Sequence, residues 1–283
     1  MKTAVLVFTK VPKAGDIKTR LTEARGGILT PEEAQGLYEA CLLDVIDVAL
    51  SVEQTGQTDV WICHNKDGDR LYLDTLLTEV NDPQKIAGIF SDQGGSFDAC
   101  MQYATDFILK SGREDRLADG LVIIGGDLPT LQPAILKNAL AKLEKLSMSE
   151  PGQKVARREI ENKDSLTGAA LVEGACQEGG FSLVGLTCTT PFNFHEVFYN
   201  LDGITALDML VNKAEREDIP FSLVEAIPDL DIPVDLAGLV PVLRSLELSA
   251  KYDLSILLPQ RTITFLKEMG LSSVALPPAR EAV

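Results

Sequence analysis

Along most of this chain, apolar runs of strand length alternate with stretches of helical spacing, and that alternation is what most narrows the possible folds. Residues 2–8, 59–63, 89–90, 121–124, 168–172, 181–186 and 221–225 read as strands. Between them, Ala34, Leu37, Tyr38, Cys41, Leu42, Val45, Val48 and Ala49 recur on one helical face. Thr30, Pro31 and Glu33 form a capping-box start for that helix, and Ser96 is placed to cap the one that follows it by some sixty residues. Further helices are expected over 70–80, 133–146 and 204–216. Strand–helix alternation of this kind predicts a mainly parallel, twisted α/β sheet with helices on both faces, because right-handed crossovers distribute them that way.

The segment 147–165 is polar and highly charged and is expected to be an exposed insertion. Two further helical patterns follow residue 236 and end near Gly270, before a Pro-rich end. The expected division is therefore a catalytic domain over 1–240 and a helical C-terminal extension over 241–283. Ile256, Leu257, Leu258 and Phe265 suit packing of that extension over the sheet as well as a dimer contact, so the oligomeric state stays open.

Composition excludes several function classes. With 26 basic and 42 acidic residues the formal net charge is −16, which disfavours non-specific nucleic-acid binding. The apolar runs are too short to span a bilayer, and the stretch before Lys10 is too short for a signal peptide, so a cytoplasmic location is expected. Five cysteines lack any C-x-x-C spacing and read as free thiols in a reducing compartment. Two histidines make a conventional zinc site improbable by ligand supply alone.

In open α/β sheets, ligands bind beyond the carboxyl ends of the strands. Three segments following strands stand out: 10–20, 92–96 and 125–129. The first carries Lys10, Lys13, Lys18 and Arg20 around Gly15 and suits a di- or triphosphate; the same residues also read as a solvated basic loop. It is not a Walker A motif, since no glycine directly precedes Lys18. Asp127, after Gly125 and Gly126, suits Mg²⁺ or Mn²⁺, or else caps the next helix. Glu178, before Gly179 and Gly180, is either an acceptor-side base or an exposed acid on a hairpin. Asp229 and Asp231 offer a further carboxylate, as a second metal ligand or as a helix cap.

Taken in order, Lys10-Val-Pro-Lys-Ala-Gly15, Lys18-Thr-Arg-Leu21, Gln93-Gly-Gly95, Gly125-Gly-Asp-Leu-Pro129, Glu178-Gly-Gly-Phe-Ser-Leu-Val-Gly185 and Asp229-Leu-Asp-Ile-Pro233 resemble the glycosyltransferase-like family of the nucleotide-diphospho-sugar transferase superfamily. This is the family also labelled radical-SAM/selenodomain-associated transferase. The resemblance extends from residue 1 to about 240. It implies a GT-A-like, Rossmann-like fold that binds nucleotide through its first half and acceptor through its second. By position, Lys10, Gly15, Lys18, Thr19, Arg20, Gln93, Gly94 and Gly95 would hold the nucleotide, while Asp127 and, less centrally, Asp231 would hold the metal. Glu178, Gly179, Gly180 and Phe181 would face the acceptor, with Lys18, Asp127 and Glu178 as the catalytic set. Departures cluster in the second half: Gly126 stands where the family has Ser, Glu178 where it has Asp, and Ile232 where it has Thr.

The resemblance implies glycosyl transfer from a nucleoside-diphosphate sugar. A likeness to phospholactate guanylyltransferases in the first loop points instead to nucleotidyl transfer with release of pyrophosphate. A non-catalytic nucleotide-binding regulator is a third reading, which the presence of Asp127 disfavours.

Overall fold

The first apolar run forms β1 (Thr3–Thr9), whose Ala4, Val5, Leu6 and Val7 are fully buried in the computed structural model, which describes residues 1–54, 56–159 and 167–272. Burial on both faces explains the unbroken apolar run, because a central strand has no solvent side to alternate with. The other strands are β2 (Thr58–His64), β3 (Ile86–Ser91), β4 (Gly120–Gly125), β5 (Leu171–Ala175), β6 (Phe181–Thr187) and β7 (Phe221–Leu223). They form one sheet in the order β3-β2-β1-β4-β6-β5-β7. β3, β2, β1 and β4 run parallel, β6 is antiparallel to both β4 and β5, and β7 is parallel to β5. The sheet is thus mostly parallel, with one reversed strand that periodicity alone did not announce.

Eight α-helices accompany it among the described residues: α1 (Pro31–Ser51), α2 (Arg70–Leu76), α3 (Phe97–Leu109), α4 (Pro133–Ser147), α5 (Glu150–Glu159), α6 (Ala206–Arg216), α7 (Pro233–Ser249) and α8 (Gln260–Glu268). The capping box of α1 is present: the Glu33 amide donates to Thr30 Oγ1 at 3.1 Å and the Thr30 amide to Glu33 Oε2 at 2.7 Å. Ser96 caps α3 by accepting from the Ala99 amide. Val5, Val7, Val122 and Ile124 share one apolar cluster with Leu42 and Ile46 of α1 and Leu136 and Leu143 of α4. Ala4, Leu6, Leu121 and Ile123 face Ala104 and Ile108 of α3 and Leu210 of α6 on the other side.

Two expectations change. Part of 147–165 is not an exposed insertion: α5 occupies Glu150–Glu159, with Val155 and Ala156 buried and Arg158 paired to Asp218 at 3.0 Å. Its charges sit on the outer helical face, so composition hid a two-residue apolar contact. Residues 160–165, the rest of that segment, and the Pro-rich end lie outside the described residues. The strand expected at 168–172 begins later, at Leu171, because Gly168 is drawn against α4 by the hydrogen bond its amide donates to the Ser147 carbonyl.

Helix α7 runs unbroken across residue 240, and α7 and α8 pack on α1. A third apolar cluster joins Leu236, Leu239 and Leu243 of α7 and Ile263 and Leu266 of α8 to Leu37 and Cys41 of α1, Leu21 and Leu230. Arg261 of α8 pins the arrangement by pairing with Asp44 at 3.2 Å and Asp47 at 2.6 Å, both buried on α1. The described C-terminal helices therefore buttress the two loops that carry Lys18 and Asp231. No helix of the described residues is long and apolar enough to cross a membrane. All five cysteines are free.

Candidate functional site

Parallel pairing places the segments after β1, β2, β3 and β4 at one edge of the sheet, and β5 and β7 run the same way, so the turns after them emerge there too. At that edge Lys18 reaches inward. Its ammonium donates to Asp127 Oδ2 at 2.5 Å and to Asp231 Oδ1 at 2.6 Å, with only 6 % of its side chain exposed. Arg20 approaches the other Asp231 oxygen at 3.7 Å from a more exposed position. Burial alone would lower the Lys18 ammonium, but the Asp127 and Asp231 carboxylates outweigh it and hold the group above its ordinary value.

Three local devices aim these groups. The Lys18 backbone is left-handed, at φ 48° and ψ 36°, just before a 3-10 turn over Thr19–Leu21, and its side chain is withdrawn from solvent. The Leu230 amide donates to the Asp127 carbonyl, tying the Asp229–Asp231 stretch to the end of β4. Asp235 then takes the amides of Asp231 and Ile232 at 3.0 and 2.8 Å, so Asp235 caps α7 and leaves the Asp231 carboxylate free to face Lys18. An acid three residues past Ile232, behind Pro233 at the first helical position, was the sequence signal for that cap.

Asp229 adds negative charge beside this pair. Its carboxyl is pushed up to about 6 by burial and then by the charges of Asp127 and Asp231. Cys176 lies close by, its thiol pushed up to about 12 by burial and by Asp229. Gln177 links the hairpin between β5 and β6 to this group, accepting from the Asp229 amide and donating to Asp235, each at 3.3 Å.

Tyr38 is a member of the site that helical spacing disguised as plain core. Its ring lies 5.7 Å from the Lys18 ammonium and its hydroxyl meets Thr9 Oγ1 at 2.7 Å. The same hydroxyl explains Gly126: a Cβ there would stand 2.9 Å from Tyr38 Oη and 2.8 Å from Leu42 Cδ1. The tyrosine occupies the space a serine would need.

The remaining predicted residues are placed around this centre to different degrees. Gln93, Gly94 and Gly95 share the edge, their loop held by buried Asp92, which accepts from the Gly94 amide at 2.8 Å and the Lys66 amide at 3.0 Å. The β1 loop is stitched to that neighbour through the Val11 amide and Asn65 Oδ1, at 2.8 Å. Lys10 and Gly15 are exposed on it, and Lys13 pairs locally with Asp16 at 3.3 Å. Glu178 is exposed on the β5–β6 hairpin at φ 59°, a conformation uncommon for a non-glycine residue. Gly179 beside it cannot carry a side chain, since a Cβ would fall 2.6 Å from Thr205. Phe181 joins an aromatic wall, 5.1 Å from Phe198, which in turn lies 4.5 Å from Phe97.

Chemically, the centre presents two hard carboxylate oxygens converging on one point already filled by a cation. That donor set matches Mg²⁺ or Mn²⁺, which commonly take one or two protein carboxylates and complete their shell with water and phosphate oxygens. Among the described residues there is no cage of three or more His, Cys, Asp or Glu side chains suited to a metal.

Residues 48–201 match the family described as "Uncharacterized protein conserved in bacteria (DUF2064)". The chain belongs to this family. Asp127 and Glu178 fall inside the matched span, whereas Lys18 and Asp231 lie outside it. No curated protein matches the sequence. Among solved structures, a Desulfovibrio desulfuricans G20 protein provisionally assigned as a nucleotide-diphospho-sugar transferase superimposes with a TM-score of 0.67 at 20% identity, over 95% of this chain and 96% of that one. The GT-A-like fold of that superfamily is therefore shared. A 4-diphosphocytidyl-2C-methyl-D-erythritol synthase (TM-score 0.44, 11% identity, 86% and 98% covered) and a CMP:2-keto-3-deoxy-manno-octonic acid synthetase complexed with CTP (0.40, 13%, 88% and 99%) align more loosely. Neither bears on this chain's chemistry.

Proposed function

We propose that this chain is a divalent-metal-dependent transferase acting on a nucleotide-activated donor, and that it moves a glycosyl group from a nucleoside-diphosphate sugar to a small acceptor. The observation that carries this reading is the convergence of Asp127 and Asp231, from opposite halves of the sheet, on a buried cation position at the ligand-binding edge. Mg²⁺ or Mn²⁺ held by those carboxylates supplies charge neutralisation for the departing nucleoside diphosphate. Lys10 and Arg20, exposed on the first loop, bind its phosphates, and Gly15 and Thr19 shape that loop around them. The 93–95 loop borders the nucleoside. Glu178 accepts a hydrogen bond or proton from the acceptor hydroxyl, against the wall formed by Phe181 and Phe198.

One observation favours nucleotidyl transfer as a second reading. Lys10, Lys13 and Arg20 are exposed together on one loop of an otherwise acidic chain, and a triphosphate carries the greater charge to neutralise. The test is a panel of UDP-, GDP-, ADP- and dTDP-sugars and the four nucleoside triphosphates, each with Mg²⁺ or Mn²⁺, read by thermal shift. Metal-dependent stabilisation by one diphosphate and its sugar supports glycosyl transfer, and stabilisation by a triphosphate alone supports the second reading. Stabilisation by no nucleotide overturns both.

A further inference from the structure

The cation position between Asp127 and Asp231 is not open: a side chain of the protein itself fills it. The Lys18 ammonium sits within 2.6 Å of a carboxylate oxygen from each, while both carboxylates keep part of their surface exposed. A divalent cation taking the same two oxygens would have to stand where that ammonium stands. The local charge favours such a replacement. Two carboxylates, Asp127 and Asp231, face one ammonium, and Arg20 stands farther off at 3.7 Å from Asp231.

The lysine is also held by a loop and not by the sheet. It precedes a short 3-10 turn, and Lys13, Gly15, Asp16 and Arg20 around it are exposed. Its backbone is left-handed, a conformation uncommon for a non-glycine residue.

From this geometry we infer that Lys18 is an internal plug of the metal site: its ammonium pairs with Asp127 and Asp231 in the resting protein and gives them up when a divalent cation binds. The released side chain then stands at the edge where donor phosphates arrive, so the residue has two binding states and two sets of partners. The inference rests on the metal-dependent reading above, and adds that metal binding and Lys18 release are one exchange.

The experiment is an electron paramagnetic resonance titration of the full chain with Mn²⁺ alone, for wild type, Lys18→Met and Asp127→Asn. Removing the plug is expected to tighten Mn²⁺ binding at least tenfold, and Asp127→Asn to abolish it. In parallel, wild-type protein is treated with an amine-reactive label and Lys18 is read by peptide mass spectrometry, with Lys13, 74% exposed, as the internal reference. Lys18 is expected to be protected without Mn²⁺ and labelled with it, and this arm stands even where Lys18→Met fails to fold. Equal Mn²⁺ affinity in wild type and Lys18→Met, or continued protection of Lys18 with Mn²⁺ bound, overturns the exchange while leaving the metal site intact. Absence of Mn²⁺ binding in every protein overturns the exchange together with the metal-dependent reading.

Discussion

The two halves of the sheet are built on different terms. β3, β2, β1 and β4 form an all-parallel block, with one register shift at Val60/Trp61, in which β1 is apolar and fully buried over Ala4–Val7 and the loops are cross-tied by Asn65 and Asp92. β6, β5 and β7 mix directions, turn through a hairpin with Glu178 in a left-handed conformation, and bury one carboxyl, Glu173, with neither oxygen hydrogen-bonded. The parallel block is the platform of the sheet; the second half carries the reversed strand and the left-handed hairpin residue. The Lys18–Asp127–Asp231 group bridges them, since Lys18 and Asp127 follow β1 and β4 while Asp231 follows β7.

That contrast can be broken most decisively at the junction. Asp127→Ala removes one of the two carboxylates that define the cation position and is expected to cost about 10²–10³-fold in turnover, the usual scale for deleting a group that stabilises developing charge. Steady-state rates with the donor identified by the thermal-shift panel check this, and a loss below about threefold would place the chemistry elsewhere.

The next largest effect concerns the buttress. Arg261→Met leaves Asp44 and Asp47 buried on α1 without their cation and is expected to destabilise the fold by about 3 kcal/mol. Urea unfolding reads it as a lower midpoint. An unchanged midpoint would detach α8 from the platform and weaken its role beneath Lys18.

Glu173 belongs to the mixed half of the sheet, on β5. It is fully buried, and burial alone pushes its carboxyl up to about 7 from 4.5. The native state therefore keeps the proton in a range where the unfolded chain has lost it. Stability falls as pH rises from about 4.5 to about 7, and the cost is complete above that. Glu173→Gln is expected to flatten this slope and to gain roughly 2 kcal/mol at pH 8, little or nothing at pH 4. Equal stability of the two proteins at both pH values would show that the carboxyl has a partner in solution.

The smallest effect is at Tyr38. Tyr38→Phe keeps the ring beside Lys18 but removes the hydroxyl bonded to Thr9, and should cost about 1 kcal/mol in thermal or urea unfolding. A loss of nucleotide or Mn²⁺ binding without loss of stability would assign the hydroxyl a direct part in the site.

Legibility in the sequence follows the same division. The platform was readable because its signals are local: apolar runs for buried strands, Thr30 with Glu33 for α1, Ser96 for α3. The reversed direction of β6 was not, because a strand's side-chain period is identical whichever way it runs. Lys18, Asp127 and Asp231 were each singled out, yet their mutual pairing was hidden, since a loop lysine reads the same whether it meets phosphate or carboxylate. Tyr38 shared its spacing with true core residues of α1. Asp235 shows the opposite case, a cap whose pattern was present and whose assignment decides that Asp231 faces the site. Glu173 gave no motif at all, because its peculiarity lies in the partners it lacks.

In the proposed function, Asp127 and Asp231 together hold a cation that serves a nucleotide. The most direct measurement is Mn²⁺ binding by electron paramagnetic resonance in the presence of UDP or GDP, for wild type, Asp127→Asn and Asp231→Asn. One bound Mn²⁺ per wild-type chain is expected, tightened by one of the two nucleotides, absent in Asp127→Asn and weakened in Asp231→Asn. Undiminished Mn²⁺ binding in both variants, or none in the wild type with either nucleotide, would contradict it.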